Sequence, residues 1–258
     1  MTGGRDRPPD PAGGPGPEGA RTRELRSGLL RVRERIEAAC EIAGRSSEEI
    51  TLVVVTKNHP ARDLRLLAGL GVRDVGENRD REASRKHREC SRLDLTWHFV
   101  GQLQRNKARS VACYANMVHS VDRPALVRAL GTAAAGTGRT LDCLLQVDLD
   151  DVPTGPGTPE QRPGRGGIEP KQVMSLAESV ASEPGLRLRG LMAVAPRGCD
   201  PYTAFAVLPG LRDRLVREHP DAKIISAGMS GDLEAALRQE ATHLRVGTAI
   251  LGHRPTLG

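Results

Sequence analysis

From Arg21 to Ala43 apolar residues fall three and four apart (Leu25, Leu29, Val32, Ile36, Ala39), and Gly44 ends the run. This spacing predicts an amphipathic helix over 21–43. Beyond it the pattern becomes an alternation that continues almost to the C-terminus. Short aliphatic and β-branched stretches predict strands at 52–56, 72–75, 96–100, 117–121, 141–147, 186–194, 223–227 and 243–246. Helical patterns fill most of the intervals, at 60–69, 80–89, 104–113, 123–135, 169–182, 202–217 and 231–239. Strands and helices in this order predict a parallel sheet joined by right-handed crossovers.

Such a sheet closes as a barrel or stays open and doubly wound. No GxGxxG follows the first strand, so the main cue for an open dinucleotide-binding sheet is missing. The strands together span about 200 residues, the low end of the barrel range. The expected fold is therefore α/β, a single (β/α)8 TIM-type barrel over 21–258. Its eighth helix is nearly absent, so the 21–43 helix is expected to help cover it. Residues 1–20 hold six Gly and five Pro and little to bury, and are expected to form a disordered tail. The Pro/Gly-rich loop at 152–167 follows strand five on the face where barrel enzymes work.

Composition changes the picture in three places. The chain has one Trp, two Tyr and two Phe, so aliphatic residues must fill its core. The formal charge of +6 suggests nucleic acid, but so few aromatics leave little for bases to stack on, and no such partner is expected. Five scattered cysteines form no CxxC or Cys/His ligand set, which reads as reduced thiols without metal. No apolar run reaches membrane-spanning length, so a soluble, cytoplasmic protein is expected.

In TIM barrels the working residues lie at the carboxyl ends of strands, with phosphate held after strands seven and eight. The first strand runs into Thr56-Lys57-Asn58. A lysine there stands at the barrel mouth against low-dielectric walls, where desolvation favours the neutral amine that attacks a carbonyl. The alternative is a lysine reaching solvent from a strand end. Strands seven and eight run into Ser226-Ala-Gly-Met229-Ser230-Gly-Asp and Arg245-Val-Gly247-Thr248. Small residues and hydroxyls at helix starts suit an anion, or simply cap two ordinary turns. A carbonyl-seeking lysine opposite a phosphate cup fits a class I aldolase substrate or pyridoxal phosphate. Arg245 shares strand parity with Gly247, and a guanidinium at a pyridine nitrogen would disfavour its protonation and weaken the ring as an electron sink. His98 on strand three either packs on a cofactor ring or is a core histidine, and Asn78 after strand two either meets a ring hydroxyl or caps a helix.

These residues resemble the pyridoxal phosphate homeostasis proteins, whose fold is the alanine racemase N-terminal barrel of fold type III. The resemblance is carried by Leu52-Val-Val-Val-Thr-Lys57, Val75-Gly-Glu-Asn78, Trp97-His-Phe-Val-Gly-Gln-Leu-Gln-Arg-Asn-Lys107, His119-Ser-Val-Asp122, Leu144-Leu-Gln-Val147, Leu188-Arg-Gly-Leu-Met192, Gly228-Met-Ser-Gly-Asp-Leu-Glu-Ala-Ala236 and Arg245-Val-Gly-Thr-Ala-Ile-Leu-Gly252. It implies that Lys57 forms the internal aldimine with pyridoxal 5′-phosphate. It places Ser226, Ser230, Gly247 and Thr248 near the phosphate, Arg245 at the pyridine nitrogen, and Asn78, His98 and Met229 along the cofactor. Asn58 stands where members usually carry Thr or a related residue, and the 152–167 loop is longer than usual.

Two functions follow from it: a non-catalytic holder that keeps the cofactor available, with apoenzymes as recipients, or a racemase-like amino-acid enzyme. Racemisation needs bases on both faces. In alanine racemases a tyrosine from an added C-terminal β-domain supplies the second. The given chain reaches Gly258 just past strand eight, and Tyr114 and Tyr202 match no such motif. The expectation is therefore a holder, monomeric without that domain's contacts.

Overall fold

The computed structural model describes residues 16–150 and 166–252. Eight parallel strands close into a barrel in chain order. They are β1 (Thr51–Val55), β2 (Asp74–Glu77), β3 (Thr96–Phe99), β4 (Met117–Val121), β5 (Leu141–Val147), β6 (Leu186–Ala193), β7 (Ile224–Ser226) and β8 (His243–Val246). Around them run α1 (Pro17–Ile42), α2 (Ala61–Gly69), α3 (Asp80–Glu89), α4 (Ala108–Ala112), α5 (Pro124–Thr137), α6 (Val173–Ala181), α7 (Pro201–Phe205), α8 (Val207–Glu218), α9 (Leu233–Arg238) and α10 (Thr248–Leu251). The (β/α)8 expectation holds.

Alternation along each strand sorts residues between two layers. Val54, Val75, Phe99, Val118, Leu145, Leu191 and Val246 join Leu64, Leu67, Leu126 and Leu237 of the helices in one continuous apolar layer. Met117, Leu144 and Met192 form a small separate cluster. The buried polar residues His98, His119, Ser226 and Arg245 also lie on strands. The barrel is thus dry between strands and helices, and partly polar within.

Helix α1 covers the gap left by the four-residue α10. A Cβ on Gly28 would lie 2.6 Å from the Ile250 carbonyl oxygen, so only glycine allows this approach. Arg21 adds hydrogen bonds to the Leu251 carbonyl at 3.1 Å and the Asp63 carboxylate of α2 at 2.7 Å. Burial works against the Asp63 carboxylate, but bonds from His59 and Arg21 outweigh it and hold its pKa below the ordinary value. A depressed carboxylate pKa gives stability that is present above the unfolded-state value and lost as pH falls through the folded one. Stability is accordingly expected to drop on acidification below about pH 4, and Asp63→Asn to flatten that drop, as read by urea unfolding at pH 7 and pH 3. A pH dependence identical in both proteins would contradict this.

Several expected boundaries move. Helix α1 starts at Pro17, so residues 17–20 of the expected disordered tail are helical. Pro17 suits the first helical position, and Gly19 and Thr22 are buried. Residues 1–15 of that tail, and all but the end of the 152–167 loop, lie outside the described residues. Strand β2 lies two residues later than expected: Val72 is buried ahead of the strand, and Glu77 belongs to it. The expected 202–217 helix is two, broken at Ala206, and the 104–113 helix begins as a 3₁₀ turn.

Candidate functional site

At the mouth, β1 ends and the chain turns sharply through Lys57 and Asn58, with Asn58 in the left-handed region at φ 64°. Lys57 is exposed, contrary to the expected desolvation. Thr56 shares the parity of Val54 and bonds to Glu77 on the helix side, and Lys57 follows it at the exposed turn. The desolvated lysine is Lys86 of α3, wholly buried. Its Nζ lies 2.6 Å from Glu77 Oε1, 2.6 Å from Glu82 Oε1 and 2.7 Å from the Thr56 carbonyl oxygen. Thr56 Oγ1 donates to Glu77 at 2.6 Å, and the Asn58 N–H donates to Glu82 at 2.6 Å. Both neighbours of Lys57 are therefore tied to one buried charged cluster. Burial pushes the Glu77 carboxyl pKa up, with Lys86 pulling it the other way. Glu77 Oε2 and Asn78 Oδ1 are buried without a partner among the described residues. Asn78 is crowded by β3's following turn, where a Cβ on Gly101 would come within 2.2 Å of the Asn78 carbonyl oxygen.

Beneath the mouth a chain of polar groups crosses the barrel. Arg245 donates to Ser226 Oγ at 2.7 Å and to the Ala193 carbonyl oxygen at 2.8 Å. Ser226 Oγ lies 2.9 Å from His119 Nδ1, and His119 Nε2 lies 2.9 Å from His98 Nδ1. His98 Nε2 reaches Asp74 Oδ1 at 2.9 Å. Burial lowers the Arg245 pKa to about 10, which leaves it cationic at neutral pH. Burial likewise holds His243, on the same strand, down to about 4.

The loops after β7 and β8 meet at Ser230. Its Oγ accepts from Thr248 Oγ1 at 3.1 Å and from the Ala249 N–H at 3.3 Å. Asp232 accepts the Met229 N–H at 2.5 Å, folding the loop over, and Met229 itself is exposed. Gly247 is packed so that a Cβ would lie 3.0 Å from the Val55 carbonyl oxygen of β1. From outside, Arg35 of α1 pairs with Glu234 and donates to the Ser230 carbonyl oxygen at 3.0 Å.

Residues 29–255 match the family described as alanine racemase, N-terminal domain. The pyridoxal phosphate homeostasis protein of Mycobacterium leprae (strain TN) is 40% identical over 254 residues, covering 91% of this chain and 95% of that protein. This chain belongs to the pyridoxal phosphate homeostasis protein family. Among solved structures, PipY of Synechococcus elongatus PCC7942 with PLP bound is 32% identical, with a TM-score of 0.73 over 88% of this chain and 100% of that one. Alanine racemase from Corynebacterium glutamicum, 12% identical with a TM-score of 0.63 over 92% of this chain and 62% of that one, shares the fold.

For this homeostasis-family chain the structure gathers Lys57, Asn78, Met229, Ser230, Gly247 and Thr248 at the carboxyl ends of β1, β2, β7 and β8. Ser226 does not join Ser230 and Thr248; it is wholly buried and supports Arg245. His98 has both ring nitrogens bonded inside the barrel, so hydrogen bonding to a cofactor substituent is closed to it. The sequence reading missed Lys86, Glu77, His119, Asp74 and Arg35. Glu82 and Lys86 stand four apart on a helix, a readable pair, but their link to Thr56 is a tertiary fact.

Proposed function

We propose that the mouth binds pyridoxal 5′-phosphate and that the protein acts as a non-catalytic holder of it. The observation that carries this reading is the turn at Lys57, whose two neighbours are fixed by the Lys86–Glu77–Glu82 cluster while its own amine stays accessible. The donor set fits the group. Asn78 Oδ1 is a buried acceptor with no partner among the described residues, and Ser230, Thr248 and the Ala249 N–H converge where β7 and β8 end. When bound, the cofactor supplies an electrophilic aldehyde on an electron-withdrawing ring. Lys57 holds the aldehyde end through Nζ; Ser230, Gly247 and Thr248 hold the phosphate; Asn78, His98 and Met229 line the ring. Arg245 faces the ring nitrogen, and Ser226 serves through Arg245. A buried guanidinium at that atom opposes its protonation, which suits holding better than carbanion chemistry. The names of the relatives and the ligand of PipY support the same assignment. In this reading the protein is a cytoplasmic monomer whose recipients are cofactor-dependent apoenzymes.

Mixing purified protein with pyridoxal phosphate is expected to give a visible absorbance band, and Lys57→Ala to lose it. A wild type that stays colourless and takes up no cofactor overturns the assignment. Incubation with L-amino acids and chiral analysis is expected to show no turnover; racemisation at enzyme-like rates would replace the holder by a racemase.

A further inference from the structure

We propose that Asp74, His98, His119 and Ser226 form a hydrogen-bond relay of fixed polarity that positions Arg245 and reports to the mouth the protonation state of the opposite barrel face. The relay itself rests on geometry; that its effect is felt by a ligand rests on the cofactor reading above.

The donors and acceptors can be assigned from the ends inward. An ionised Asp74 can only accept, so His98 Nε2 must carry the hydrogen of their 2.9 Å bond. In a neutral His98 the bare Nδ1 then accepts from His119, whose Nε2 must be protonated. Burial, reinforced by the neighbouring His98, Arg245 and His243, holds the His119 pKa well below its ordinary value, so that ring is neutral and its Nδ1 is bare. Ser226 must therefore donate its hydroxyl hydrogen to His119, which leaves its lone pairs for the Arg245 guanidinium. Each group has one role, and with Asp74 ionised and both rings neutral no other assignment satisfies every contact. Arg245 is thus held by two acceptors, Ser226 Oγ and the Ala193 carbonyl oxygen. His119, His98 and Asp74 are positioning residues for it.

One added proton reverses this order. A cationic His98 donates through both nitrogens, so His119 Nε2 must accept. The hydrogen formerly on Nε2 is taken by His98, and the incoming proton resides on His119 Nδ1. His119 then donates to Ser226, whose own hydrogen must turn away. The groups facing the two rings are Asp74 from β2, Ser226 from β7, and His243 and Arg245 from β8. Asp74 is the exposed end of the relay: its side chain is 29% exposed and lines a cleft beside Arg33, Glu37, Ser47 and Arg73. The carboxylate that fixes the polarity of the relay therefore lies on the face away from the ligand.

Nitrogen-15 NMR of the full chain with labelled histidine tests the relay without cofactor. At pH 7.5 both His98 and His119 are expected as the Nε2–H tautomer; an Nδ1–H tautomer at either overturns the proposal. Asp74→Asn, an isosteric change at a partly exposed position, is expected to give mixed tautomers, because a carboxamide both donates and accepts. With pyridoxal phosphate added, the pH midpoint of the visible band is expected to move by about half a unit or more in Asp74→Asn and in His119→Gln. A midpoint equal to that of the wild type in both overturns the coupling. Expected tautomers in a wild type without any band support the relay and overturn the cofactor reading instead.

Discussion

Lys86→Met is expected to destabilise the barrel by about 3–5 kcal/mol, the usual cost of breaking a buried ion pair by removing one partner. The ammonium has no contact with solvent and lies between two carboxylates and a carbonyl oxygen. Without it Glu77, itself wholly buried, keeps only the Thr56 hydroxyl, and its charge has no counter-ion. The double change Lys86→Met with Glu77→Gln is expected to recover a large part of the loss, since it removes the stranded charge as well. Urea unfolding of the three proteins measures both effects. A single-variant loss under about 1 kcal/mol, within the range of ordinary surface pairs, would show that the cluster is not a structural charge centre. The same variant reports on the mouth, because the Thr56 carbonyl oxygen loses its anchor and the turn that carries Lys57 loosens.

Gly190→Ala is expected to be at least as damaging. Gly190 sits in β6 at φ 144°, and a Cβ there would lie 2.0 Å from the Ile224 carbonyl oxygen and 2.7 Å from its nitrogen. These are backbone atoms of the paired strand β7, so relief requires parting the two strands. The register of β5 against β6 also shifts at this level, where Leu144 pairs with Gly190. Overlap with fixed backbone together with an unfavourable φ predicts a loss of about 3 kcal/mol or more. Thermal unfolding followed by circular dichroism is the direct measurement, and a melting temperature within a degree or two of wild type would refute it. Where the variant does fold, a displaced Ala193 carbonyl would also loosen one of the two acceptors that hold Arg245.

The barrel was legible because its strands are buried and read as short aliphatic runs: β4, β5 and β8 fall at the expected limits. Strand β2 slipped because its defining residue is charged. Glu77 is inside only because Lys86, nine residues on, follows it there, and a hydropathy pattern cannot anticipate a partner. The mouth loops were legible for the opposite reason, since lysine, serine, glycine and threonine at strand ends are local features. Roles that depend on pairing across the barrel were not. Ser226 reads as one more small hydroxyl residue beside Ser230 until its contacts with Arg245 and His119 are seen. His119 looks like a core histidine for the same reason, as it is wholly buried and distinguished only by what it touches.

The bond from Arg35 to the Ser230 carbonyl oxygen joins residues 195 positions apart. On a ribosome adding about 5–20 residues per second, α1 emerges about 10–40 s before its partner loop exists. During that interval Leu25, Leu29, Val32 and Ile36, all buried in the finished protein, have no α9 or α10 to cover them. Helix α1 is therefore among the last of the described elements to dock, and its apolar face waits uncovered by α9 and α10 until the final strand is complete.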